Sequence, residues 1–84
     1  MTYMDEHIHE HRDMVIGEIR NELNRAMTKH PNAAKMSQHH GFAVLKEEVD
    51  ELWDDVKSDN RVGARKEAIQ VAAMAIRFIL ECTP

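Results

Sequence analysis

Phe42-Ala43-Val44-Leu45-Lys46-Glu47-Glu48-Val49-Asp50-Glu51-Leu52-Trp53-Asp54-Asp55-Val56-Lys57 is the stretch that decides the fold class. At about 100° per residue, Phe42, Leu45, Val49, Leu52, Trp53 and Val56 cover one face of a helix. Glu48 and Asp55 lie on one shoulder of that face, with Glu51 and then Glu47 further round. Glu48 and Glu51 are spaced i,i+3, and Glu47 and Glu51 i,i+4, so their carboxylates project from neighbouring rows of one helix surface. The acids therefore sit at a core boundary rather than diametrically opposite it.

Working outward, the segment after Ser58-Asp59-Asn60 reads as a third helix over about 61–81, capped by Asp59 or Asn60. Its main apolar face is Val62, Ile69, Ala72, Ala73, Ile76, Ile79 and Leu80. Ala68, Val71, Ala75 and Phe78 make most of the remainder apolar as well. One narrow polar stripe is left, formed by Glu67, Gln70, Arg77 and Glu81. A helix apolar nearly all round is buried on several sides, so the stripe is expected to face a cleft or an oligomer seam. The second helix is expected to start near Ser37–His40, with Ser37 as its cap, and to end near Lys57. A first helix is expected over about 4–28, where Ile8, Val15, Ile19, Leu23 and Ala26 recur at helical spacing. Gly17 weakens that helix by ~1 kcal/mol relative to Ala without breaking it. Pro31 ends the segment, because the residue before a proline avoids helical geometry. Residues 29–38 read as a loop, with room for a short turn at Ala33-Ala34-Lys35-Met36. No alternating β-branched run occurs. The expected fold is all-α: one domain over 1–84, with three helices and room for one more short one.

Length and charge narrow the function. Among 84 residues, 43% are apolar, more than three short helices can cover by themselves. Association into a helical-bundle homodimer is therefore expected, with Val71, Ala75 or Phe78 in the shared core. A net charge of −4 argues against nucleic acid or an anionic membrane as the main partner. No apolar run approaches the ~20 residues of a membrane span, and the acidic start Met1–Glu6 lacks the order of a signal peptide. Cys82 is the single cysteine, so no disulfide can close within the chain, and a cytoplasmic location is the expectation.

The chemistry lies in the carboxylates. Glu67 and Gln70 repeat the i,i+3 spacing of Glu48 and Glu51 on the following helix. Packed antiparallel, the two helices can aim several oxygen ligands at one point. Hard oxygen ligands without thiols suit Mg²⁺ or Mn²⁺, and Glu67 on an apolar helix is costly to bury unless something cationic pairs with it. A solvated acidic face is the plainer account of Glu47, Glu48 and Glu51 taken alone; the second cluster outweighs it. Other features carry less. His7 and His11 are i,i+4 and can share a zinc ion, but solvated helix residues are the simpler reading. Trp53 is expected to pack in the core rather than stack on a base.

Glu47-Glu48-Val49-Asp50-Glu51 matches an EExxE motif, and Glu67-Ala68-Ile69-Gln70 matches ExxD except at its last position. With Gly41–Trp53 and Ile69–Ala75 around them, these residues resemble the MazG-like superfamily of all-α nucleoside triphosphate pyrophosphohydrolases, over roughly residues 5–81. The resemblance implies a helical protomer that dimerises and sometimes pairs again into a tetramer. It implies Mg²⁺, or Mn²⁺, on Glu48, Glu51 and Glu67, with Gln70 at the fourth motif position and Glu47 as a further ligand or the base for water. The implied reaction takes a (deoxy)nucleoside triphosphate to its monophosphate and pyrophosphate. Lys46 and Arg77 are candidates to steady the phosphates. Gln70 departs from the usual Asp: its carbonyl can donate one oxygen but carries no charge. Asp55, one turn beyond Glu51, is a candidate to compensate, and Gln70→Asp is expected to keep or raise activity. The rival reading is a non-catalytic helical interaction module, or an inactive member of the same family.

Overall fold

The computed structural model describes residues 3–29 and 36–84. Three helices account for nearly all of them: α1 (Tyr3–Lys29), α2 (Gln38–Lys57) and α3 (Arg61–Cys82). Two expectations fall outside the described residues, namely the short turn from Ala33 and the pairing of the His7 side chain with His11.

The helix ends are set by local chemistry. Ser37 caps α2, its Oγ accepting the His40 amide at 3.1 Å, and Asn60 caps α3, its Oδ1 accepting the Gly63 amide at 3.0 Å. Each side-chain oxygen satisfies one of the first-turn amides that have no partner within their helix. Between the helices the chain reverses in three residues. Asp59 takes a left-handed conformation at φ 56°, which Asp tolerates better than most residues. The Ser58, Asp59 and Asn60 amides donate to carbonyls of Asp54, Val56 and Asp55.

So tight a turn makes α2 and α3 an antiparallel hairpin. At its far end Gly41 lets the helices close: a Cβ there would stand 3.0 Å from the Phe78 ring and still nearer Cys82 Sγ. On its other side α3 packs on α1, and among the described residues α1 and α2 do not touch. Glu18 pairs with Arg65 at 2.6 Å, and the Ala26 carbonyl accepts from Arg77 Nη1 at 3.1 Å. The two contacts advance together along both helices, so α1 runs parallel to α3.

The core is much smaller than the one the periodicity predicts, although the apolar residues it holds belong to the expected faces. Ala26 and Ala73 are the only buried apolar residues among those described. The polar stripe of α3 turns inward toward the other two helices. Arg77 is 5% exposed, its Nε donating to Glu81 at 2.8 Å. The expected apolar faces instead meet solvent: Val62, Ile76, Ile79 and Leu80 on α3, and Phe42, Val49, Trp53 and Val56 on α2 are exposed. Trp53, expected in the core, is 57% exposed, with Lys57 Nζ 5.8 Å from its ring centroid. The physical reason is the openness of the chain. Its accessible surface is 6429 Å², against about 5,100 Å² for a compact monomer of 9.7 kDa. Its radius of gyration is 14.8 Å, where a compact chain of this length has about 12 Å. No helix among the described residues is long and apolar enough to cross a membrane.

Candidate metal centre

The α2–α3 hairpin brings Glu48 and Glu51 of α2 against Glu67 of α3. One carboxylate oxygen from each lies within 4.8 Å of the other two. Glu48 and Glu67 are half-buried and Glu51 is exposed, so the trio opens to solvent on one side. No ion pair among the described residues ends on any of the three. Burial pushes the Glu48 carboxyl up to about 7, helped by a hydrogen bond with Glu67 and by the negative charges of Glu51 and Glu67. Glu67 Oε2 is fully buried and has no hydrogen-bond partner. A buried acceptor without a donor is costly.

These observations fit a hard divalent cation. The donor set is all oxygen, includes no thiol or imidazole, and is anionic where it is partly removed from water. Glu48, Glu51 and Glu67 are the residues able to hold it. A cation there would satisfy Glu67 Oε2 and offset the burial and repulsion that push the Glu48 carboxyl up.

The remaining candidates are placed as follows. Glu47 is exposed and stands outside the trio. Gln70 is half-buried one turn along α3 from Glu67. Asp55 stands outside the trio, its side chain accepting from Asn60 Nδ2 at 3.3 Å in the α2–α3 turn. Lys46 is exposed and pairs with Asp50 at 2.9 Å. Arg77 lies ten residues from Glu67, about 15 Å of helix rise. Its side chain is 6% exposed and donates to the Ala26 carbonyl in the last turn of α1, where a cation also complements the helix dipole. That contact speaks against Arg77 as a phosphate-binding residue. A separate cavity of about 280 Å³ between α1 and α3, lined by His11, Val15, Ile19, Arg65, Ala68 and Ile69, includes none of the trio.

Glu22 escaped the sequence reading. Its side chain is 15% exposed and paired with Arg25. Hydrogen bonding from Arg25 holds its carboxyl below the usual range, opposed by burial and aided by Gln70 and Lys66. The available signal was a charge on the stripe of Val15, Ile19 and Ala26, at i+7, i+3 and i−4 spacing from those residues. The chain matches no family model, no curated protein and no solved structure.

Proposed function

We propose that this chain is a Mg²⁺-dependent nucleoside triphosphate pyrophosphohydrolase that works as a homodimer. The observation that carries the reading is the convergence of Glu48, Glu51 and Glu67 from two helices, with Glu67 Oε2 buried and unpartnered. Glu48, Glu51 and Glu67 would hold Mg²⁺ or Mn²⁺, which would supply charge neutralisation for a polyphosphate. Glu47 is exposed beside the trio and fits the role of base better than that of ligand: it takes the proton of the attacking water. That water adds oxygen to a phosphoryl group as the bond between the α- and β-phosphates breaks, releasing pyrophosphate and a monophosphate. Lys46 is the cation left to steady the substrate. Its exposed pair with Asp50 is worth at most about 1 kcal/mol, so a triphosphate can displace it.

The dimer follows from area. The chain exposes roughly 1,300 Å² more than a compact monomer of its mass, and a stable interface takes about 800 Å² per partner. Phe42, Val49, Trp53 and Val56 recur at heptad-like spacing along the exposed face of α2, a seam suited to a second copy. A cytoplasmic setting, where triphosphates and Mg²⁺ coexist, accords with this reading.

The test is pyrophosphate release from a panel of nucleoside triphosphates with Mg²⁺. Wild type is expected to turn over at least one of them, while Glu48→Gln and Glu51→Gln fall silent with helical content intact. A wild type silent on every triphosphate would hand the lead to the interaction-module reading.

A further inference from the structure

We propose that the cavity between α1 and α3 is the seat of Trp53 from a second copy of this chain. The inference rests on the homodimer reading above and names the contact that would hold the two copies together. The cavity, of about 280 Å³, has Val15, Ile19, Ala68 and Ile69 as apolar walls, with His11 and Arg65 as its polar lining. That is the small end of the range for ligand pockets, a size suited to one aromatic side chain. Trp53 is the one tryptophan of the chain and is 57% exposed. It does not line the cavity, and among the described residues its helix does not touch α1. A large aromatic side chain left in water and an apolar pocket that its own chain does not fill are the two halves of an interface anchor.

Charge favours the same pairing. Helix α2 carries six acids against two lysines, and Asp50 and Asp54, the acids nearest Trp53 along it, are exposed. Arg65 at the cavity is exposed as well. Its pair with Glu18 and the Lys46–Asp50 and Lys57–Asp54 pairs all lie in solvent, where ion pairs are weak and exchange partners readily. Seating Trp53 therefore brings an acidic helix against a basic rim. Direction along the helices also fits. Trp53 is about 140° round α2 from Glu48 and about 160° from Glu51, and Arg65 and Ile69 are each about 160° round α3 from Glu67. Side chain and cavity are both turned away from the carboxylate trio, so the contact leaves the metal centre open. In a two-fold pair the contact is made twice, Trp53 of each copy entering the cavity of the other.

The test is sedimentation together with tryptophan fluorescence, which reports Trp53 alone, on the full-length wild type and Ala68→Glu. Ala68 is exposed within its own chain, so the change spares the protomer and charges only the cavity. Circular dichroism checks that the helices persist; if they do not, Ala68→Phe, which fills the cavity without a charge, takes its place. Wild type is expected to be dimeric at micromolar concentration with short-wavelength emission, shifting to longer wavelength as dilution releases monomer. The Ala68 variant is expected to weaken the dimer about 30-fold or more and to emit at long wavelength throughout. Mixed with Trp53→Asp, which keeps the cavity but lacks the side chain, it is expected to form a heterodimer stronger than either variant's own dimer. An Ala68 variant that dimerises as wild type does, with short-wavelength emission, would overturn the contact while the homodimer stands. A monomeric wild type with long-wavelength emission would overturn both.

Discussion

Among the described residues, Glu48 has the carboxyl whose environment shifts it furthest from an isolated side chain, and it makes stability depend on pH. Its carboxyl titrates near 7 in the folded chain and near the ordinary value of about 4.3 when unfolded. Between those values the native state binds more protons than the unfolded state. Stability therefore falls as pH rises through this window, and the loss persists above it. Metal-free protein is expected to melt at lower temperature at pH 8 than at pH 5, with Mg²⁺ reducing the difference. Glu48→Gln removes the repulsion without removing the shape. It is expected to raise the metal-free Tm at pH 8 by about 4–8 °C, equivalent to about 1 kcal/mol, while abolishing pyrophosphate release. An unchanged pH profile in Glu48→Gln would show that another group is responsible. Arg77 behaves oppositely. Arg77→Ala leaves Glu81 buried without its cation and is expected to cost about 3–5 kcal/mol, visible as a lowered denaturant midpoint. If Arg77→Ala kept its stability and changed only the KM for triphosphate, Arg77 would return to the substrate site.

At the scale of elements, α1 and α3 contain separable increments. Gly17 lies within α1 with no atom within 4 Å of the Cβ it lacks. Gly17→Ala is expected to stabilise by about 0.4–1 kcal/mol, because it reduces the freedom of the unfolded chain without strain. Asn60→Ala removes the cap of α3 and is expected to cost about 0.5–2 kcal/mol. Chemical denaturation of the two variants side by side gives both signs. A destabilised Gly17→Ala would show that a neighbouring chain approaches α1 at that point.

For the whole molecule the decisive quantity is unburied apolar surface. A chain whose buried apolar residues are Ala26 and Ala73 among those described gains little from folding alone. On the homodimer proposal, its stability would grow by about 1.4 kcal/mol per tenfold rise in concentration. The Tm is accordingly expected to climb with concentration, and sedimentation to report a dimer at micromolar protein. Trp53→Asp puts a charge into the exposed α2 seam. It is expected to yield monomer, together with a Tm that no longer varies with concentration. A wild-type monomer with a concentration-independent Tm would refute the assembly.

The sequence by itself determined the elements and their ends. Ser37 and Asn60 carry the cap chemistry in their own side chains, and Pro31 forbids helix before it, so the three helices follow from local rules. It also determined which acids converge, because i,i+3 spacing and a three-residue turn leave Glu48, Glu51 and Glu67 few other places to go. Periodicity alone does not say which face of a helix meets which neighbour. On α3 it assigned Ala73, Ile76, Ile79 and Leu80 alike to the core, whereas the packed chain buries Ala73 together with Arg77 and leaves the other three exposed. The small Ala73 side chain lets helices approach closely, and the Arg77–Glu81 pair cancels the charge that made the stripe look like a surface. Glu22 was hidden for a related reason. Gln70 and Lys66, which help hold its carboxyl low, lie more than forty residues away, and only the parallel packing of α1 on α3 brings them together.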